Sequence, residues 1–144
     1  MSTLFTIGFA GKSAGVFFDS LIKHRVRIVI DIRLNNKSQL AGFTKKDDLR
    51  YFLKEIAGIE YVHSLDLAPT EKLLKDYRTN RISWSDLERS LVELVRKRQV
   101  IGNYSTNDLD RACLLCSEHD AKKCHRSLIA ELFHKRYKIA VEHL

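Results

Sequence analysis

One strand-like run near the start of the chain most limits the folds open to it. Residues 28–34 read Ile-Val-Ile-Asp-Ile-Arg-Leu, a nearly continuous apolar and mostly β-branched segment until its end. A strand that is half exposed alternates apolar and polar residues, whereas a strand buried on both faces does not. The run therefore predicts a strand of a parallel sheet that helices cover on both sides.

The remaining sequence alternates short apolar runs with segments of helical periodicity. In addition to 28–34, we predict strands at residues 4–8, 60–64, 112–116 and 139–143. Strands separated by helices imply crossover connections and parallel pairing. The expected fold is α/β, a single domain over residues 1–144 with a mainly parallel sheet of about five strands flanked by helices. The strand order does not follow from the sequence.

Capping residues mark the predicted helices between these strands. Ser13 is expected to begin the first helix and Gly58 to end the second. Pro69 suits the first turn of a third helix, and Ser85 with Glu88 has the spacing of a capping box for a fourth. The last helix is predicted from about residue 124 to 137.

Composition indicates a folded, basic protein. The 144 residues include 25 Lys and Arg against 18 Asp and Glu, a formal net charge of +7. This excess favours polyanions, nucleic acid first, although it also serves ordinary solubility. Three cysteines without a secretory leader predict a reducing, cytoplasmic location. The apolar runs are too short to cross a bilayer, so no membrane role is expected.

A site is expected where the strands end. In parallel α/β sheets, ligands bind in the crevice beyond the carboxyl ends of the strands. Polar or flexible residues follow each predicted strand at that point, and glycine there lets the backbone turn closely around a crevice. The residues that this rule selects are Gly8, Arg33, His63, Cys116, Glu118 and His143.

The last helix opens with four residues of distinct chemistry. Cys124, His125, Arg126 and Ser127 are consecutive and carry a thiol, an imidazole, a guanidinium and a hydroxyl. A helix start presents unpaired N–H groups and a partial positive charge, which favour anions and stabilise a thiolate. The segment therefore indicates an anion-binding or thiol-dependent site without naming a reaction.

Three interpretations of the thiols remain open. Cys116 or Cys124 could be a reactive thiolate, or Arg126 and Ser127 could bind an anion without covalent chemistry. Alternatively, the two thiols and His125, with His119 or His63, could bind zinc. We predict no cofactor and keep zinc as the alternative. Cys113 lies three positions before Cys116, hence on the opposite face of the strand, and is expected to be a core thiol.

Asp31 and Arg33 lie two positions apart and share one face of the predicted strand. Because burying either charge without a partner is costly, they could pair with each other, pair with the helix that opens at Arg126, or bind a ligand. The sequence leaves a structural ion pair and a ligand-binding role open.

Four segments resemble the domain of unknown function 488 family. They are Leu-Phe-Thr-Ile-Gly at 4–8, Asp31-x-Arg33, the block Leu-Leu-Cys-Ser-Glu at 114–118 with Cys-His-Arg-Ser at 124–127, and Val-Glu-His at 141–143. The resemblance spans nearly the whole chain and brings no established activity. It marks Asp31, Arg33, Cys116, Glu118, Cys124, His125 and Arg126. Where members of the family often have proline after the Asp-x-Arg motif, this chain has Asn35 and Asn36.

The leading functional hypothesis is an enzyme acting on an anionic, nucleotide-like or nucleic-acid-like substrate. The hypothesis assigns catalysis to Cys116, Glu118, Cys124 and His125. It assigns substrate binding to Gly8, Asp31, Arg33, Arg126 and Ser127. The alternative is a non-catalytic nucleic-acid-binding module in which the Cys-His-Arg block is a structural network. The sequence does not give the oligomeric state.

Overall fold

Five strands form one parallel sheet in the computed structural model, which describes residues 2–37, 39–117 and 124–144, and only the backbone of residues 39–41. The order across the sheet is β3-β2-β4-β1-β5, and each pairing between neighbours is parallel. The predicted fold class is therefore confirmed. The strands are β1 Thr3–Gly8, β2 Ile28–Asp31, β3 Glu60–His63, β4 Ala112–Cys116 and β5 Ala140–His143.

Six α-helices of the described segments connect and cover these strands. A π-helical turn, Leu53–Ala57, continues the second helix to Gly58, which ends it in the left-handed conformation with a φ of 64°. None of the helices in this part of the chain has the length and apolar character of a transmembrane span. The helices are α1 Ala14–Lys23, α2 Lys46–Phe52, α3 Glu71–Arg78, α4 Trp84–Arg98, α5 Thr106–Leu109 and α6 His125–Tyr137.

The core consists of two apolar layers, one on each face of the sheet. Alternation along β4 divides it: Leu114 belongs to the layer beneath α4 and α6, whereas Cys113 and Leu115 belong to the layer beneath α1 and α2. Cys113 is fully buried, and burial raises the pKa of its thiol. The predicted core thiol is confirmed, and so is burial of β2 on both faces, since Ile30 belongs to one layer and Val29 to the other.

The strand order creates a crevice between β2 and β4. After β2 the chain continues into α2, whose Leu49 packs on one face of the sheet. After β4 it continues into α6, whose Phe133 packs on the opposite face. Neighbouring strands whose connections leave toward opposite faces form the usual ligand crevice of a parallel α/β sheet. The ends of β2 and β4 therefore define the position of a candidate site.

Strand β2 ends at Asp31, three residues before its predicted end. The Asp31 carboxylate accepts a hydrogen bond of 3.1 Å from the backbone N–H of Arg33. An acidic side chain that bonds the backbone two residues later forms a turn and competes with continued strand pairing. The carboxylate within the apolar run therefore ends the strand.

Two helix starts also differ from their predictions. The capping box of α4 consists of Ser83 and Asp86, and the predicted box of Ser85 and Glu88 is wrong because Ser85 lies inside the helix. Pro69 lies before the cap of α3, which is Thr70, and not in its first turn. The cap at Ser13 is confirmed, since its side chain accepts a hydrogen bond from Val16 N–H.

Replacing Ser83 by alanine is expected to destabilise the protein by about 1 kcal/mol, because the helix loses a capping acceptor. Ser85→Ala is the matched control: this serine is exposed within α4 and should change the free energy of unfolding little. Urea unfolding of both variants followed by circular dichroism measures the difference. Equal losses from the two variants would contradict the observed helix start.

Candidate functional site

A cavity of about 700 Å³ opens at the carboxyl ends of β2, β3 and β4. Arg33 and His63 line it beyond β2 and β3, and Cys116 lines it at the end of β4. Cys124 and His125 contribute the start of α6, while α3 and α4 supply further wall residues. The cavity therefore lies beside β2 and β4, the neighbouring strands whose connections leave toward opposite faces of the sheet. Ligands of parallel α/β proteins bind at this position.

A cysteine and a histidine contact each other in this cavity. Cys116 Sγ lies 3.5 Å from His125 Nδ1, and His125 Nε2 lies 2.8 Å from the carbonyl oxygen of Ile32. Because a carbonyl can only accept a hydrogen bond, Nε2 carries a proton. Nδ1 therefore faces the thiol and can accept its proton. A third group that orients the base is the arrangement found around activated nucleophiles.

The surroundings of His125 favour its charged form. Burial acts to lower the pKa of this imidazole, but the hydrogen bond with Cys116 and the negative charge that Cys116 carries as a thiolate raise it, and the net pKa lies above its ordinary value. The Ile32 carbonyl acts in the same direction, since it accepts a hydrogen bond from the protonated ring. A thiolate on Cys116 and an imidazolium on His125 therefore stabilise each other.

Cys124 remains a thiol beside Cys116. It is the capping residue of α6 and is 1% exposed. Its hydrogen bond to Cys116, followed by burial, raises the pKa of the Cys124 thiol. Cys124 therefore donates its S–H to Cys116, whose sulfur lies between this thiol and the His125 imidazole.

The same three side chains could hold a metal ion. One ligand atom each from Cys116, Cys124 and His125 lies within 4.8 Å of the others. The Ile32 carbonyl bonds the second ring nitrogen of His125, as second-shell acceptors do around metal-bound histidines. Of the two histidines suggested as a fourth ligand, His63 has Nε2 2.7 Å from the Arg33 carbonyl, and His119 lies outside the described residues.

Asp31 and Arg33 form an ion pair with each other. Two bonds of 2.8 Å join Arg33 Nε and Nη2 to the two Asp31 oxygens, and both residues are buried. The Arg33 guanidinium also donates to the Thr44 hydroxyl at 3.1 Å and to its carbonyl at 2.6 Å. The pairing that the sequence left open is thus present, and Arg33 is held as a fixed part of the cavity wall.

Two further side chains complete this polar cluster. The Tyr61 hydroxyl donates to Asp31 Oδ2 at 2.5 Å, and Asn36 Nδ2 does so at 3.2 Å. Burial acts to raise the pKa of Asp31, but the hydrogen bonds and the charge of Arg33 together lower it by more than burial raises it. The net pKa of Asp31 therefore lies below its usual range. The Asn36 amide also donates to the Tyr61 hydroxyl at 3.0 Å and so takes part in the cluster.

The other predicted site residues that the structure describes, Gly8, Ser127 and Arg126, are not among the residues that line the cavity. Gly8 is paired with Cys116 in the sheet, and its carbonyl accepts a bond from Lys12. The Ser127 hydroxyl donates to the Cys124 carbonyl at 2.8 Å and so supports the start of α6. Arg126 is 1% exposed, and its charge reaches the thiol of Cys124, whose pKa it acts to lower. Glu118 lies outside the described residues.

Helices α3 and α4 bring residues to the cavity that the sequence analysis missed. Besides Arg33, the cationic side chains on the wall are Lys37, Lys46 of α2 and Arg78 of α3, against one described carboxylate, that of Glu71. Tyr77 and Trp84 also line it and pack edge to face, with ring centroids 5.5 Å apart. Strand periodicity selects strand ends, so it cannot identify which helices border the crevice.

The fold and site together define a parallel α/β protein with a paired cysteine and histidine in a basic crevice. The family model described as Domain of unknown function DUF488 matches residues 13–133, and the chain belongs to this family. The resemblance inferred from the sequence is therefore confirmed. Neither the curated proteins nor the solved structures include a significant match to the chain.

Replacing Asp31 by asparagine is expected to lower the free energy of unfolding by about 3–5 kcal/mol at neutral pH, because the buried Arg33 charge loses its counterion. Because the folded-state pKa of Asp31 is lowered, its negative charge stabilises the folded protein fully at pH values above about 3.9, the ordinary pKa of a carboxyl group. This contribution is lost as the pH falls through the lowered pKa. The stability gap between wild type and variant should therefore narrow in acid.

Urea unfolding of the Asp31→Asn variant between neutral and acidic pH measures this gap. Glu131→Gln is the matched control, because its 4.0 Å pair with Lys135 is exposed and should contribute little. A gap that stays constant across the acid range would show that the Asp31 charge does not stabilise the fold.

Proposed function

We propose that the chain is a thiol-dependent enzyme that acts on an anionic substrate, with Cys116 as its nucleophile. The observation that supports this most directly is a pair of contacts made by one imidazole: His125 Nδ1 faces Cys116 Sγ, and His125 Nε2 bonds the Ile32 carbonyl. It places an oriented base beside a thiol that lines a cavity, which is the requirement for nucleophilic catalysis by cysteine.

The proposed reaction proceeds in two steps. His125 Nδ1 accepts the proton of the Cys116 thiol, and the sulfur bonds to the electrophilic centre of the substrate while the leaving group departs with that proton. Water then attacks the sulfur-linked intermediate, its proton passes to His125, and Cys116 leaves as the thiolate. Cys124 holds the thiolate by its S–H bond. Glu118 stays a candidate for proton transfer.

The charge of the cavity wall supports an anionic substrate. Lys37, Lys46 and Arg78 line the cavity, and the chain as a whole carries a net charge of +7. Clefts lined by one sign of charge concentrate ligands of the opposite sign. In this proposal Asp31, Arg33 and Arg126 act mainly as positioning residues. The three cations Lys37, Lys46 and Arg78 contact the substrate. A reducing compartment such as the cytoplasm keeps Cys116 and Cys124 as thiols.

Alkylation of the folded protein by iodoacetate and iodoacetamide tests both parts of the proposal. Cys116 is expected to react first because it lines the cavity, and Cys113 is expected to remain unmodified because it lies in the core and does not line the cavity. Cys116 should also prefer the anionic reagent: the ratio of its rate with iodoacetate to its rate with iodoacetamide should be higher than the same ratio for a free thiol. Lys46→Ala should reduce this preference several-fold. Mass spectrometry of peptides after timed quenching gives the rates at each cysteine.

Lys54→Ala is the matched control, because Lys54 is exposed on the turn that follows α2 and is remote from the cavity wall. It should leave the ratio of the two rates unchanged. An unreactive Cys116, or a ratio equal to that of a free thiol, would contradict the proposal. If Cys116 is unreactive while oligonucleotides bind with strong salt dependence, the non-catalytic nucleic-acid-binding module becomes the better account.

A metal centre is the second candidate, and the 4.8 Å grouping of Cys116, Cys124 and His125 favours it. Two thiolates and one imidazole are a known ligand set for catalytic zinc that leaves a position for substrate. If it is correct, purified protein should contain about one zinc per chain, and Cys124→Ser should lose it. Elemental analysis and cobalt absorption measure binding. Metal-free protein without sulfur-to-cobalt absorption after reconstitution would exclude this centre.

A further inference from the structure

The aromatic pair on the cavity wall has no part in the proposed thiol chemistry. Tyr77 lies in the last turns of α3, and Trp84 is the first residue of α4. Their rings are 5.5 Å apart at an interplanar angle of 61°. Both residues are only partly buried and line the same cavity as Cys116. Tyr77 therefore fixes the plane of the indole while both rings remain accessible to a ligand.

Cations accompany the aromatic pair. Arg78 follows Tyr77 on α3, and Lys46 lies at the start of α2, so that both line this cavity. Flat aromatic side chains bind planar rings by stacking, and flexible cations bind phosphate or carboxylate groups. A wall that combines the two suits a ligand in which a planar ring and an anionic group are joined.

We propose that this cavity binds a nucleotide, with the base against Tyr77 and Trp84 and the phosphate at Lys46 and Arg78. This inference rests on the proposed function for the position of the reacting group, which Cys116 would attack. A volume of about 700 Å³ lies in the upper part of the usual range for small-molecule sites. It is large enough for a base, a sugar and a phosphate, and Asn35 and Ser117 add polar groups to the cavity wall.

Trp84 makes the proposal measurable, because it is the single tryptophan of the chain. Its fluorescence is titrated with the four common nucleoside monophosphates, with phenyl phosphate and with ribose 5-phosphate. At least one nucleotide should change the fluorescence in a saturable way. It should bind at least about tenfold more tightly than ribose 5-phosphate, because stacking of the base adds that much affinity. Phenyl phosphate distinguishes a simple aryl anion from a nucleotide.

Tyr77→Leu is expected to weaken nucleotide binding about tenfold and to leave ribose 5-phosphate binding unchanged. Tyr51→Leu is the matched control: Tyr51 is 62% exposed on α2 and is remote from the cavity wall, so nucleotide affinity should not change. Thermal melting of both variants shows whether they are folded. For Trp84→Leu, which loses the fluorescent group, isothermal titration calorimetry gives the affinity.

The same titrations on Cys116→Ser separate this inference from the proposed function, because the base site does not depend on the thiol and this variant should bind nucleotides as the wild type does. If the wild-type protein binds nucleotides while its Cys116 is unreactive toward alkylation, the base site is supported and the proposed thiol-dependent enzyme is contradicted. Ribose 5-phosphate binding as tightly as every nucleotide would overturn the base site and leave the anion site. Tighter binding of phenyl phosphate than of any nucleotide, or binding of oligonucleotides without any mononucleotide, would also overturn it.

Discussion

A buried ion pair at the end of β2 determines the geometry of this edge of the sheet. Asp31 accepts two bonds of 2.8 Å from Arg33 and one of 3.1 Å from its backbone N–H, so the chain turns instead of extending the strand. Arg33 then reaches Thr44, and Tyr61 of β3 reaches Asp31. Since a buried charge without a partner is very unfavourable, this cluster can form in essentially one arrangement. The position of the turn after β2 is fixed accordingly.

The turn fixes in place the carbonyl on which the candidate site depends. Ile32 lies between the two charged residues and is fully buried, and its carbonyl accepts the hydrogen bond from His125 Nε2. The ion pair therefore selects the tautomer of an imidazole 93 positions later in the chain, and the imidazole presents its other nitrogen to Cys116. The contact between Cys116 and His125 and the fold of β2 are therefore linked through one backbone carbonyl.

The sequence analysis succeeded where one local pattern determined the outcome. The bounds of β4 and the opposite orientations of Cys113 and Cys116 follow from strand periodicity alone. It failed where two local patterns were equally good: Ser83 with Asp86 and Ser85 with Glu88 both fit a capping box, and packing of the helix decides between them. The strand order, and the position of Tyr77 and Trp84 beside the strand ends, depend on contacts between distant segments, which no local pattern encodes.

The two thiols of the site differ in their contacts, although both are buried and both line the cavity. Cys116 ends a strand and contacts the imidazole, whereas Cys124 caps a helix and donates its S–H to Cys116. A thiolate that accepts bonds from a thiol and an imidazolium is stabilised without exposure to water. The same arrangement brings three metal ligands together. A nucleophile and a metal centre thus require the same side chains. The protonation state of Cys124 distinguishes the two functions, because a nucleophilic Cys116 requires Cys124 as a thiol, whereas a metal ion requires Cys124 as a thiolate.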